Sequence, residues 1–209
     1  ICNDHSDSIM YSEKTIYSYI NAGLLTARNI DMPRKIRFRP RKGKERKFKV
    51  DKKCRVGRTY EEFLEYHAAH PELPVTELDS VEGKKGGAVL LTIHFVQAKL
   101  QLAYLRESND AASVGAIFRE IYRTLGDWDY KRIFPLLLAD NGSEFSDPKT
   151  LEFNDAGERV SRLFYCDASA PGQKGHCENN HEFIRRIIPK GTDLGLYTQA
   201  QIALAMNHI

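Results

Sequence analysis

The sequence has few cysteines, and their spacing pairs none of them. Cys2, Cys54, Cys166 and Cys177 are scattered over 209 residues with no CxxC. This excludes a disulfide-framed secreted module, and the thiols are expected to be free, in a reducing compartment. Cys177 and His181 stand four apart with His176 adjacent. No second pair follows at finger spacing, so zinc is not expected. Long apolar runs are also missing. The longest, near residues 88 to 104, is interrupted by His94, Gln97, Lys99 and Gln101, which excludes a membrane span. No secretory leader is visible, and there is no internal repeat. The chain starts at Ile1 and stops in helical-looking "QAQIALAMNHI". The expectation is a fragment cut at both ends.

Charge is present, but unevenly placed. The net charge is only +3. Between Arg34 and Arg58, however, fourteen basic residues face only Glu45 and Asp51, a local +12, so the remainder carries −9. A basic arm beside an acidic body points to a polyanion, and nucleic acid is the expected partner. Arg39, Arg41, Lys42, Arg46 and Lys47 form the densest part of that arm.

Three regions follow. Residues 1–33 hold one short amphipathic helix in "YSEKTIYSYINAGLL", with Ser12 as N-cap, Ile16 and Ile20 on one face and Gly23 as the stop. It has the size of the second helix of a helix-turn-helix, and its polar Lys14 and Thr15 are candidate DNA contacts. Residues 34–71 form a basic linker, expected to be partly extended, with a short helix around Tyr60 to His67. Residues 72–209 are compact. "PVTELDSVEG", "GGAVLLTIHFVQ" and "LQLAYLRE" read as strands, and "SNDAASVGAIFREIYRTLG" as a helix ended by Gly126. "RIFPLLLAD" and "RLFYCD" are further strands, and two helices close the chain. Three strands, helix, strand, strand, helix, helix is the pattern of an α/β domain with a mixed sheet.

Three carboxylates stand out by context. Asp79 lies in the first of these strands ahead of a turn, Asp140 ends a buried strand, and Glu178 opens a helix after a glycine-rich loop. Each is read as sitting at the end of a regular element, where side chains converge. Grouped carboxylates repel unless a cation joins them or their pKa values rise. Mg²⁺, a hard ion that prefers oxygen, is the natural partner. Two such ions can activate the attacking oxygen and stabilise the leaving one in phosphoryl transfer. Glu77 and Glu82 read as surface acids; Glu144 reads as a solvated loop acid, with an assisting place around the site as the alternative.

"ELDSVEG", "LLADNGSEF" and "APGQKGHCENNHEFIRRIIPKG" together resemble the three catalytic blocks of the DDE transposases, and more distantly those of retroviral integrases and other ribonuclease H-like proteins. The nearest likeness is to the IS30 family of bacterial insertion-sequence transposases. Its last block is carried here by Pro171, Gly172, Gly175, Glu178, Asn179, Ile184, Arg185, Pro189, Lys190 and Gly191. The resemblance covers residues 72 to 209, and "SEKTIYSYI" is similar to the end of that family's helix-turn-helix. Two departures touch the site: His176 and Cys177 precede Glu178, and "VTELD" replaces the usual His-Trp-Glu-x-Asp approach.

The resemblance implies a ribonuclease H-like mixed sheet flanked by helices, behind a truncated helix-turn-helix and basic linker. It implies a Mg²⁺-dependent transposase with a two-metal site, Mn²⁺ being a substitute. Asp79 and Asp140 would be the principal ligands, and Glu178 would complete the site. Asn141 and Gly142 would shape the turn beside Asp140. Gln173, Lys174, Arg185, Arg186 and Lys190 become candidate contacts to DNA. Expected partners are transposon ends, target DNA and further copies of the chain on DNA, in a bacterial cytoplasm at the nucleoid. The alternatives are a ribonuclease H-like nuclease that cuts without joining and a non-catalytic DNA-binding repressor.

Overall fold

The computed structural model describes residues 10–27, 31, 52–168 and 170–208, and leaves out the side chains of residues 171 and 175–179. The chain divides into two compact units, Ile1–Phe48 and Lys49–Ile209. In the first, α1 spans Glu13–Ala22. The Ser12 side chain caps it by accepting the Thr15 N–H, and Gly23 ends it in a left-handed conformation at φ 73°. Both ends were legible because each uses a residue suited to that backbone role.

The second unit is built on five strands: β1 (Val75–Glu82), β2 (Val89–Phe95), β3 (Leu100–Arg106), β4 (Leu136–Ala139) and β5 (Arg162–Tyr165). Their order across the sheet is β3-β2-β1-β4-β5. The first three pair antiparallel, while β4 and β5 run parallel to β1. This is the expected ribonuclease H-like mixed sheet. Strands β2 and β4 read as nearly continuous apolar runs because both faces are covered, whereas β1 carries polar residues among its apolar ones.

On one face, α3 (Ala111–Ile133) lays Val114, Phe118 and Ile121 against Leu78, Leu91, Ile93 and Leu137. The other face is covered in two parts. Val81, Leu90 and Ala103 meet Ile184 of α5 (Gly175–Ile187) and Ile202 of α6 (Gln199–Met206). Leu136, Leu138 and Phe164 meet Phe63 of α2 (Tyr60–Ala69). A short α4 (Pro148–Glu152) lies between β4 and β5 in sequence.

Three sequence expectations are corrected. Gly126 does end a helix, at φ 77° and ψ 169°, but a second helical segment follows at once and α3 continues to Ile133. The stretch from Lys52 to Ala69, read as the end of the linker, folds onto the sheet. Phe63 packs edge-on against Phe164, and Arg58 forms a two-pronged pair with buried Glu152 at 2.6 and 3.1 Å. Asp79 is interior to its strand, because pairing with β2 runs on to Glu82↔Val89. The rest of the basic arm, with Arg39, Arg41, Lys42, Arg46 and Lys47, lies outside the described residues. Among the described residues no helix is long and apolar enough to cross a membrane.

Candidate active site

Asp79 and Asp140 come together through strand register. The parallel ladder between β1 and β4 ends at Leu78↔Ala139. Each chain's next residue is therefore an aspartate, and the two leave the ladder side by side. Alternate residues share a face, so Asp79 follows Val81 and Asp140 follows Leu138, and both side chains point to the face away from α3. Rigid neighbouring strands thus fix both carboxylates with little freedom.

The turn after β4 is pinned at several points, which explains "DNG" residue by residue. The Gly142 N–H donates to Asp140 Oδ1 at 2.8 Å. Asn141 Nδ2 donates to the Cys166 carbonyl at 2.7 Å, tying the turn to the end of β5. Arg55 Nη2 donates to the Asn141 carbonyl at 3.0 Å, and the Tyr165 hydroxyl to that of Phe145. Gly142 has an ordinary extended backbone, φ −62° and ψ 150°. Space favours glycine here: a Cβ would clash with the Glu144 carboxylate and stand 2.9 Å from Asp140 Oδ1, so these side chains would have to shift to admit one.

Two acids read as solvated are buried. Glu144 is 7% exposed and Glu77 only 4%. Glu144 follows a tight turn that brings it back toward Asp140, and Glu77 faces the covered side of β1, two residues before Asp79. For Glu144 the sequence favoured the solvated reading over an assisting one, since no local pattern marks its return toward the site. For Glu77, its place at Asp79's own strand parity was the missed clue. Glu82 is exposed, as expected.

Lys174, expected on DNA, turns inward instead. It is 6% exposed, and its Nζ stands 3.1 Å from Asp79 Oδ2 and donates to the Leu78 carbonyl at 2.9 Å. The other Asp79 oxygen accepts the Ser80 N–H at 2.7 Å. Burial pushes the Asp140 carboxyl above its ordinary range; the Lys174 charge opposes this, and Asp79 and Glu144 add to it. Arg106 reinforces the neighbourhood, donating to the Ser80 hydroxyl at 2.8 Å from a nearly buried position.

Glu178 lies on the first turn of α5, and its side chain is outside the described atoms. The helix is anchored on both sides of it. Lys174, just before α5, bonds Asp79, while His181 bonds the Thr92 hydroxyl at 3.2 Å. Thr92 is the cross-strand partner of Asp79. The Glu178 backbone therefore runs between two contacts that converge on Asp79. Among the described residues, no three His, Cys, Asp or Glu side chains are grouped to hold a metal.

The remaining candidates are dispersed. Gln173 exchanges hydrogen bonds with Asp167, which closes the loop before α5. Arg185 donates to the Glu82 carbonyl at 2.7 Å, Arg186 lies over the Phe183 ring, and Lys190 is exposed. On α1, Lys14 is exposed, and the Thr15 hydroxyl is 2.9 Å from that of Ser12.

Several known proteins are similar to this chain in sequence. A Streptococcus salivarius protein named as a transposase for the insertion-like sequence element IS1161 is 29% identical over 194 residues, 91% of this chain. The transposase of element IS4351 from Bacteroides fragilis is 26% identical over 64% of it. In sequence the chain is similar to insertion-sequence transposases. The ORF3 protein of Spiroplasma virus SpV1-R8A2 B, named as a putative integrase, is similar to this chain as well, at 27% identity over 64% of it. No family model matches the chain. It spans about half the length of the IS1161 protein, 51%, and 38–39% of the other two. The solved simian T-cell lymphotropic virus intasome, bound to a PP2A regulatory subunit, aligns with 64% of this chain and 48% of its own at 13% identity and TM-score 0.46. The fold assignment rests on the sheet order and register.

Proposed function

We propose that the second unit is the catalytic core of a DNA transposase of the IS30 type, which cleaves at insertion-sequence ends and joins the freed 3′-hydroxyl to target DNA. The observation that carries this reading is the register that brings Asp79 and Asp140 out of the β1–β4 ladder as neighbours, in a chain related to transposases. The donor chemistry fits Mg²⁺ or Mn²⁺. The paired groups are hard carboxylate oxygens, Asp79 already holds a cationic ammonium, and the turn beside Asp140 lacks a Cβ. Asp79 and Asp140 would hold the ion, with Glu178 completing the set from α5. When bound, a divalent ion supplies Lewis acidity toward the attacking and leaving oxygens of a phosphodiester.

The chain's own residues do the positioning. β1 and β4 fix two carboxylates, Asn141 and Arg55 hold the turn, and α5 brings the third acid over β1. The basic arm supplies affinity for the phosphate backbone, and the reaction uses multimers on paired ends. No nucleophilic Ser or Tyr is required, because water and the DNA hydroxyl attack in turn.

The test is a strand-transfer assay on end DNA, supplied uncut and pre-cut. Asp140→Asn is expected to lose cleavage and joining by at least about a thousandfold, with DNA affinity by gel shift nearly intact. Undiminished activity in this variant would refute the site. Cleavage without joining in the wild type would instead mark a nuclease.

A further inference from the structure

We propose that Lys174 is a resident cation that holds the carboxylate site in its metal-free state and must leave when a divalent ion binds. The inference rests on reading Asp79 and Asp140 as a divalent-cation site. Lys174 is almost fully buried, which is rare for lysine unless it is paired. Its ammonium is paired where the β1–β4 ladder stops, on Asp79 Oδ2 and on the carbonyl of Leu78, the last ladder residue. Asp79 Oδ1 is taken by the Ser80 N–H, so the ammonium occupies the oxygen that Asp79 would offer to a metal. Two cations on one carboxylate oxygen repel strongly in a partly desolvated site. The two occupants are therefore exclusive.

The same position explains what the exchange achieves. Without a cation, Asp79 and Asp140 would face each other uncompensated, at a cost to the fold. Lys174 offsets that repulsion until metal arrives. It stands in "PGQKG", with Gly172 and Gly175 on either side, immediately before α5. Its long stem can swing out without moving the sheet. Glu178 lies four residues further on, in the first turn of α5, so release of Lys174 and recruitment of Glu178 act on one short segment. Once displaced, the ammonium is available to a DNA phosphate. The DNA-contact role expected from sequence then belongs to the metal-loaded state.

Mn²⁺ binding to the 209-residue chain, followed by electron paramagnetic resonance and by metal-induced change in Tm, tests this. Lys174→Met should bind Mn²⁺ about tenfold tighter than the wild type and melt lower without metal, so its metal-induced rise in Tm is larger. Lys174→Arg keeps the charge and should bind no tighter than the wild type; Lys174→Gln provides a second neutral variant if the Met form does not fold. A purely structural lysine would give the opposite result, weaker binding after its loss. Equal or weaker Mn²⁺ affinity in the neutral variants, with the wild type still binding, overturns the exchange and leaves the metal site standing. Failure of every form to bind Mn²⁺, or binding unaffected by Asp140→Asn, overturns the site reading and the exchange with it.

Discussion

Asp140 sits where its charge is opposed by burial and by two neighbouring acids, and only partly relieved by Lys174. Its carboxyl titrates above the ordinary carboxylate range, so between the unfolded and folded values the native state binds more protons. Stability from this group is therefore greatest at low pH, is lost as pH rises through the raised folded value, and stays reduced above it. Asp140→Asn keeps an oxygen for the Gly142 N–H and removes the charge. The variant is expected to melt higher than the metal-free wild type at neutral pH, by about 2–4 °C for each kcal/mol relieved, with the gain vanishing in acid. Melting curves across pH check this. A variant that is inactive yet more stable is the signature of a residue kept for chemistry. At this scale the sequence pointed to Asp79 and Asp140, the one in a strand pattern ahead of a turn and the other at the end of an apolar run, and the register places them next to each other. The sequence misjudged Glu144, Glu77 and Lys174. Their burial is decided by a returning turn, a strand parity and a lysine folding back 96 residues onto Leu78, none of which is a local pattern.

The elements themselves were largely legible, since each strand and helix carries its own periodicity. Their boundaries were less so, because tertiary pairing sets them. β1 runs past Asp79 only because β2 continues to pair with it. Gly126 shows the same limit from the other side. Its backbone lies in a region open essentially to glycine alone, and a Cβ added there would meet no heavy atom within 4 Å. Packing space therefore does not select glycine there; backbone conformation does. Gly126→Ala is expected to cost about 1–3 kcal/mol, read as a lower urea midpoint with an unchanged slope. Strand transfer should persist below the unfolding transition, since this kink lies in α3, on the face of the sheet away from α5. A neutral effect would mean that the two segments of α3 can straighten into one helix without loss.

For the whole molecule, the decisive quantity is the distribution of charge. A net +3 predicts little attraction to DNA, whereas +12 concentrated between Arg34 and Arg58 predicts strong, salt-sensitive attraction. Not all of that charge is free for a ligand. Arg55 and Arg58 are spent on the Asn141 carbonyl and on Glu152, so the arm proper is the part upstream of Lys52. Converting Arg39, Arg41, Lys42, Arg46 and Lys47 to glutamine should weaken binding to any DNA sequence alike. It should also flatten the plot of log affinity against log salt by about 0.9 for each phosphate contact removed. The metal-induced rise in Tm should not change, because the proposed metal site lies on the carboxylates of the second unit. A salt slope identical to the wild type's would assign the polyanion contacts elsewhere, leaving Lys14 on α1 and the exposed Lys190 as the positions to test next. A lost metal response would show instead that the arm and the second unit are energetically coupled.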